Sequence, residues 1–559
     1  MNDTNGSLTT LDVALELHES GNFDAAADIY TRLLEQDPAN LDARYGLGTA
    51  RLQQGNPHSA SDLLEQVVHS APGVPEYHYN YGLVLQQLEQ HYAAIEQFNA
   101  ATIVRPEGRF LWLGLARSLA AVHNYAGAVT AQERVIDSDS ATAADWTTAA
   151  DYYFMAGRYD DARRAVDKAR ELGRNDPRNE YVEACCAAIA GDDDTERELL
   201  RKAVDLRPGF AEAWDRLLDL VPQEEVLALA DTCEGLSGDA ATPARDKLIL
   251  RYTLGRAYER LEDYDRAWRH FENANQRQQD EAAANGNAYD RVGNDRFLSW
   301  AKTEYDEQGT AASASDDRPI FIVGMPRSGT SLAERIVSNL DGVTMGGESE
   351  ALEHVSGLYY SALARGESAP LRELQSGHWD ELAAGYWHTR AGARGVLTDN
   401  TPANFRHVGM LCRMFPSASV IYMRRDPRDA ATSLYTHMLP DRDAYATDLG
   451  DLAHYCGFSL RLMAHFANVF PDRIIEVDYE SLVTDTESES RRIAEFCGLE
   501  WQADCLDAGH RQPADVTFRG RQMRQRLATN DIGHWRNYRE HLAMFVEACA
   551  VNEVPLRDD

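Results

Sequence analysis

Small and turn-forming residues recur every 34 positions along the N-terminal part of the chain, and no other feature limits the possible folds so severely. Ala26, Ala60, Ala94, Ala128 and Ala162 stand in one register. Five residues before each lies a turn position, held by Gly21, Gly55, Glu89, His123 and Gly157, and the register continues to Gly191. Aromatic residues follow several of these turns, as at Phe23, Tyr125 and Tyr159, while Pro38, Pro72, Pro106 and Pro208 fall late in their units. This pattern predicts pairs of short helices. The turn joins the two helices, the alanine lets them approach closely, and the proline ends one unit and opens the next. A single pair cannot bury its apolar face, so the units must stack. The register runs without an insertion over residues 11–217 and breaks near 222–238. A further unit follows at Leu254-Gly255-Arg256-Ala257-Tyr258, with Tyr264 and Ala267. About seven units are expected, the last as a cap.

These units resemble the tetratricopeptide repeat (TPR), which implies an N-terminal α-solenoid. Such an array offers either a surface for a partner or acceptor peptide, or a structural arm or dimerisation module. No single repeat residue is assigned to a site. The repeat array is placed at 1–275, a linker at 276–317 and a second domain at 318–559. Within the linker, Asn285-Gly286-Asn287 and residues 309–315 read as loops, with a helix expected over 296–305.

The net charge of -35 disfavours a nucleic-acid or anionic-membrane partner, since both need a cationic surface. It also makes any local cluster of arginines informative. The eight cysteines include no C-x-x-C pair, which fits buried, reduced thiols. Residues 1–21 read as a helix and not as a signal peptide, and no run of about 18 apolar residues occurs. A cytoplasmic protein that does not enter membranes is expected.

The periodicity changes at Arg318. Pro319-Ile320-Phe321-Ile322-Val323 is an apolar run suited to a buried parallel strand. It leads into Gly324-Met325-Pro326-Arg327-Ser328-Gly329-Thr330-Ser331 and then a helix with Leu332, Ile336, Val337 and Leu340 on one side. A strand, a glycine-containing loop and a helix start together aim backbone N–H groups at an anion. Thr330 stands where a P-loop ATPase or kinase carries lysine, so the charge usually placed on β/γ-phosphates is missing, and Arg327 lies inside the loop instead. A second handover follows. Ser419-Val420-Ile421-Tyr422-Met423 reads as a strand, and Arg424-Arg425-Asp426-Pro427-Arg428-Asp429 opens a helix that carries Ser433. An arginine at a strand end and a serine on the next helix can converge on one phosphate.

The P-R-S-G-T-S loop and the R-D-P-R-D-A-A-T-S segment resemble the two nucleotide motifs of the sulfotransferase family. The repeats-first order is similar to bacterial TPR sulfotransferases, and the domain is similar to protein-tyrosine sulfotransferases. The resemblance implies a P-loop-like, three-layer α/β domain with a mainly parallel sheet. It implies 3′-phosphoadenylyl sulfate (PAPS) as donor substrate, with no metal. Arg327, Ser328, Gly329, Thr330 and Ser331 would hold the 5′-phosphosulfate, and Arg425 and Ser433 the 3′-phosphate. Tyr479 would pack near the adenine. Glu348 would be the catalytic base, with Glu350 as the neighbouring alternative. That role asks for a partly buried carboxyl, because burial raises its affinity for a proton. Where relatives carry lysine before a proline, this chain has Asn400, which donates a hydrogen bond but carries no charge. Charge stabilisation would then fall to Arg327 or Arg424.

Residues 529–538, with Gly533-His534-Trp535-Arg536, resemble the family's terminal element, with His534 and Trp535 structural. Arg519, Arg521, Arg524 and Arg526 precede it and form either a lid or a solvated loop face. The reaction implied is sulfuryl transfer to an acceptor hydroxyl: tyrosine of a peptide or protein, or a glycan or small molecule. The rival reading is a TPR scaffold whose weakly active or inactive transferase domain senses nucleotide. A P-loop kinase is disfavoured by Thr330.

Overall fold

The computed structural model describes residues 10–173, 175–305, 311–390, 395–506 and 532–557. Contact density divides the chain into two compact units, Met1–Cys186 and Ala187–Asp559.

The first unit is a stack of helix pairs, beginning with α1 (Thr10–Glu19) and α2 (Phe23–Gln36) and running through α10 (Tyr159–Glu171) into α11 (Pro177–Ala190). Ala26, Ala60, Ala94, Ala128 and Ala162 are all completely buried, which explains why the register admits nothing larger at these positions. Gly21, Gly55 and Gly157 take positive φ, and so do Glu89 and His123 at the same place in their units. The turn therefore demands the left-handed conformation whether or not glycine supplies it, at a cost of about 1–2 kcal/mol where it does not.

The second unit opens with the end of α11, α12 (Asp193–Leu206), α13 (Ala211–Leu218) and α14 (Val226–Gly238). Glu196 occupies the alanine register here; it is fully buried and paired with Arg216 at 2.6 Å. A longer pair follows, α15 (Ala244–Arg260) and α16 (Tyr264–Ala284). Position 275, read from the sequence as the end of the array, falls inside α16. The expected helix over 296–305 begins earlier, as α17 (Arg291–Glu304).

Five parallel strands form one sheet in the order β2-β3-β1-β4-β5: β1 (Ile320–Gly324), β2 (Val343–Thr344), β3 (Val396–Asp399), β4 (Ser419–Arg424) and β5 (Ile474–Asp478). Helices cover both faces, so β1 is buried at every position and β4 through Val420–Met423. Ile320, Ile322, Ile421, Met423 and Val477 point to one side and pack against Ile336, Val337, Ile493 and Ala494. These come from α18 (Thr330–Ser338) and α25 (Thr486–Cys497). Phe321 points the other way and meets Tyr386 and Phe415 at ring separations of 5.8 and 6.1 Å. β3 and β4 flank β1 on opposite sides, so the winding reverses at β1. A crevice is expected outside the carboxyl ends of β1 and β4, where the two motifs lie.

Candidate functional site

The first motif leaves β1 as a tight loop. Gly324 is required because a Cβ there would lie 2.5 Å from the carbonyl oxygen of Met423 and 2.8 Å from Ser328 Oγ. Arg327 sits at φ +67 and Gly329 at φ +96, just before α18 begins at Thr330. Holding a non-glycine residue at such an angle costs free energy that the surroundings must offset. Here the offset is visible: Arg425 Nη1 donates to the carbonyl of Arg327 at 2.9 Å, and Arg327 Nε donates to Ser433 Oγ at 2.8 Å. Ser433 belongs to α22 (Pro427–Tyr435). The structure thus brings the arginine of the first motif onto the serine of the second. Ser328 is 1% exposed, and its Oγ has no hydrogen-bond partner among the described residues. A buried hydroxyl left in this state fits a site awaiting an acceptor. Ser328 and Arg425 also border a cavity of about 120 Å³ that Pro555, Leu556 and Arg557 help to line.

Tyr479 directly follows β5 and opens α24 (Tyr479–Thr484). Its ring lies against Gly329 and under the guanidinium of Arg425, 4.7 Å from ring centre to Cζ. Of the three clustered arginines, two are engaged structurally. Arg424 donates to Glu476 of β5 at 2.9 Å, and buried Arg428 pairs with Asp426 at 2.9 Å while covering Trp535 at 3.8 Å. Arg425 is the one directed at the anion loop. Glu476 of β5 thus holds Arg424, whereas Arg327 stands in the loop itself, on Ser433.

Sequence reasoning missed the anchors of this arrangement. Asp429 accepts from the backbone N–H groups of Gly533 at 2.7 Å and Trp535 at 2.9 Å, tying the terminal element to α22. His534 and Tyr538 reach Glu259 of α15 at 2.7 and 2.9 Å. Trp268 of α16 stacks on Tyr435 at 4.7 Å, and Asn275 donates to the Tyr435 carbonyl at 2.9 Å. The last helix pair therefore grips the far end of the helix that carries Ser433. Arg519, Arg521, Arg524, Arg526 and residues 529–531 lie outside the described residues, as do Gly309 and Thr310 of the expected linker loop.

Glu348 departs from expectation. It is exposed, on the loop after β2, with Gly347 at φ +67 turning the chain just before it. A buried carboxyl lies nearby, Glu334 of α18, 2% exposed, its pKa raised by burial to about 7. Glu350 is engaged by Arg442 at 2.7 Å. Asn400 is buried; its N–H donates to the carbonyl of Gly347 at 3.2 Å, and its Oδ1 has no partner among the described residues. Asp399 beside it is fully buried, and burial raises its pKa although Arg390 opposes the shift. It accepts from Tyr386, Asn404 and the N–H of Thr401 at 2.9–3.2 Å, which fixes the turn that carries Asn400.

Residues 319–503 match the Sulfotransferase family, and residues 17–80, 75–107, 113–179 and 147–210 match the tetratricopeptide repeat. A protein of Aquifex aeolicus is 26% identical over 363 residues, covering 63% of this chain and 47% of that one. The protein-tyrosine sulfotransferase A of Caenorhabditis elegans is 22% identical over 207 residues, covering 34% and 51%. The chain thus spans about half the length of each of these relatives. A solved structure of Pseudomonas aeruginosa pilF aligns with TM-score 0.32 and 20% identity, covering 38% of this chain and 96% of that one. Among the described residues no helix is long and apolar enough to cross a membrane. The chain joins N-terminal tetratricopeptide repeats to a sulfotransferase-family domain built on a small parallel sheet.

Proposed function

We propose that the protein transfers the sulfuryl group of PAPS to an acceptor hydroxyl, with tyrosine of a peptide or protein as the leading acceptor class. The observation that carries this reading is the convergence of Arg327, Ser433 and Arg425 where β1 and β4 hand over to helices. Two anion positions close together suit a nucleotide bearing a phosphosulfate at one end and a phosphate at the other. Arg425 and Ser433 would take the 3′-phosphate. Ser328, the N–H groups of residues 329–331 and the start of α18 would take the 5′ end. Tyr479 would pack beside the adenine.

The acceptor oxygen would attack sulfur in line as the bond from sulfur to the 5′-phosphate oxygen breaks. The acceptor proton would pass to the Glu348 carboxylate, and adenosine 3′,5′-bisphosphate would leave. Arg327 would balance charge on the transferred group. In this reading the repeats present the polypeptide acceptor, and eight buried cysteines, none in a disulfide among the described residues, suit a reducing cytoplasm.

The buried amide of Asn400 at the lysine position favours a second reading, in which the domain binds nucleotide without turnover. Incubating the purified chain with labelled PAPS and tyrosine-bearing peptides, glycans and phenols separates the two. Label transfer that Glu348→Ala abolishes supports the transferase. Donor binding with no transfer to any acceptor supports the nucleotide sensor.

A further inference from the structure

Glu334 is a buried acid for which the anion loop has no evident use. It lies on α18, about one helical turn beyond Thr330, and is 2% exposed. Its Oε1 accepts from Thr398 Oγ1 at 2.6 Å and from the N–H of Gly347 at 2.9 Å. Thr398, itself fully buried in β3, accepts in turn from the N–H of Gly346 at 3.0 Å. Arg390 Nη2 donates to the carbonyl of Gly346 at 2.8 Å. On the far side of Glu348, Thr401 Oγ1 accepts from the N–H of Ser349 at 2.7 Å and donates to its carbonyl at 2.9 Å. The packing is close enough that a Cβ on Gly346 would run into the Thr398 carbonyl and the Arg390 guanidinium. The backbone is therefore held on both sides of Glu348 while the Glu348 side chain stays exposed.

We propose that Glu334 is the positioning residue for Glu348, a buried acceptor that fixes the base loop to the same helix whose N-terminus receives the donor. This rests on the proposed transferase reading insofar as Glu348 is the base. α18 then acts as a ruler: its first turn meets the anion, and its second sets where the loop bearing Glu348 can stand. Such a device suits a base whose side chain lies exposed. Displacing a catalytic group by about 1 Å can cost about 100-fold in rate. Both bonds fall on one oxygen of Glu334, so an amide oxygen can replace it, whereas a methyl group cannot.

The test compares the full chain with its Glu334→Ala, Glu334→Gln and Thr398→Val variants in three assays. The first is the melting shift with adenosine 3′,5′-bisphosphate. The second is hydrogen exchange of the peptide spanning residues 345–350. The third is labelled transfer from PAPS to a tyrosine-bearing peptide and a simple phenol. The expected result for Glu334→Ala is an unchanged nucleotide shift and exchange at 345–350 faster by about tenfold or more. In the same variant kcat falls by about 10–100-fold with the donor KM within about twofold. Glu334→Gln should recover most of both losses. Wild-type exchange in Glu334→Ala overturns the proposal, as does a raised donor KM with intact kcat. If Glu334→Ala does not fold, Thr398→Val decides on the same readouts. A wild-type chain that ignores the bisphosphate defeats the transferase reading alone. If neither acceptor is turned over, the exchange comparison by itself shows whether Glu334 holds the loop.

Discussion

Replacing Gly329 with alanine tests how closely the two motifs are fitted together. The residue sits at φ +96, where an L side chain costs about 1–3 kcal/mol. Its new Cβ would overlap Cδ2 of Tyr479 and lie 3.1 Å from Cε2 and 3.4 Å from Cγ, against a comfortable carbon–carbon separation of about 3.5–4.0 Å. Relieving that overlap means moving the ring away from Gly329 and so disturbing the Arg425 guanidinium above it, an overpacking cost of about 1–3 kcal/mol. Gly329→Ala should therefore destabilise the transferase domain by about 2–6 kcal/mol. The two contributions separate in a double-mutant cycle with Tyr479→Ala, since removing the ring relieves the overlap but not the backbone strain. Urea unfolding, followed at the transition that adenosine 3′,5′-bisphosphate shifts, should give a coupling energy of about 1–3 kcal/mol. A cycle that closes within about 0.5 kcal/mol would refute the reasoning, because Tyr479 would then not be packed on this loop.

Other substitutions give further checks. Arg425→Ala should weaken adenosine 3′,5′-bisphosphate by about 10–100-fold by calorimetry, the value of a hydrogen bond to a charged group, and leave adenosine 5′-monophosphate nearly unaffected. Trp268→Ala removes a side chain that is 5% exposed and stacked on Tyr435; it should cost about 3–5 kcal/mol of stability and weaken the bisphosphate, because Ser433 rides on the same helix. Glu334 also predicts a pH dependence. The folded chain keeps its proton up to about pH 7, whereas an exposed carboxyl releases it near 4.5, so the folded state binds more protons between those values. Stability should therefore fall as pH rises through that window, by up to about 3 kcal/mol from this group. Glu334→Gln should lose that slope, and parallel urea midpoints for the two proteins at pH 5 and 7.5 would contradict it.

Local pattern made the helix pairs and the two strand-to-helix handovers legible. The alanine register reports a steric limit repeated at each pair, and the apolar runs report strands covered on both faces. What stayed hidden depends on partners distant in sequence. Glu196 in the alanine register is intelligible only beside Arg216. Glu334 is none of the apolar residues that mark one side of its helix, yet α18 is buried nearly all round, with Ala333, Glu334, Arg335 and Ser338 inside as well as Ile336 and Val337. Its reach to β3 and to Gly347 has no local signature. The same holds for Asp429, whose partners lie more than a hundred residues on. The exposure of Glu348 follows from a turn at Gly347, not from the residue types around it.

The most direct test is a calorimetric titration of the wild-type chain with adenosine 3′,5′-bisphosphate and, separately, adenosine 5′-monophosphate, each with and without magnesium. Two phosphate positions joined through Arg327, Ser433 and Arg425 predict that the bisphosphate binds at least about tenfold more tightly, with no need for magnesium. Equal affinity for the two nucleotides would contradict the account.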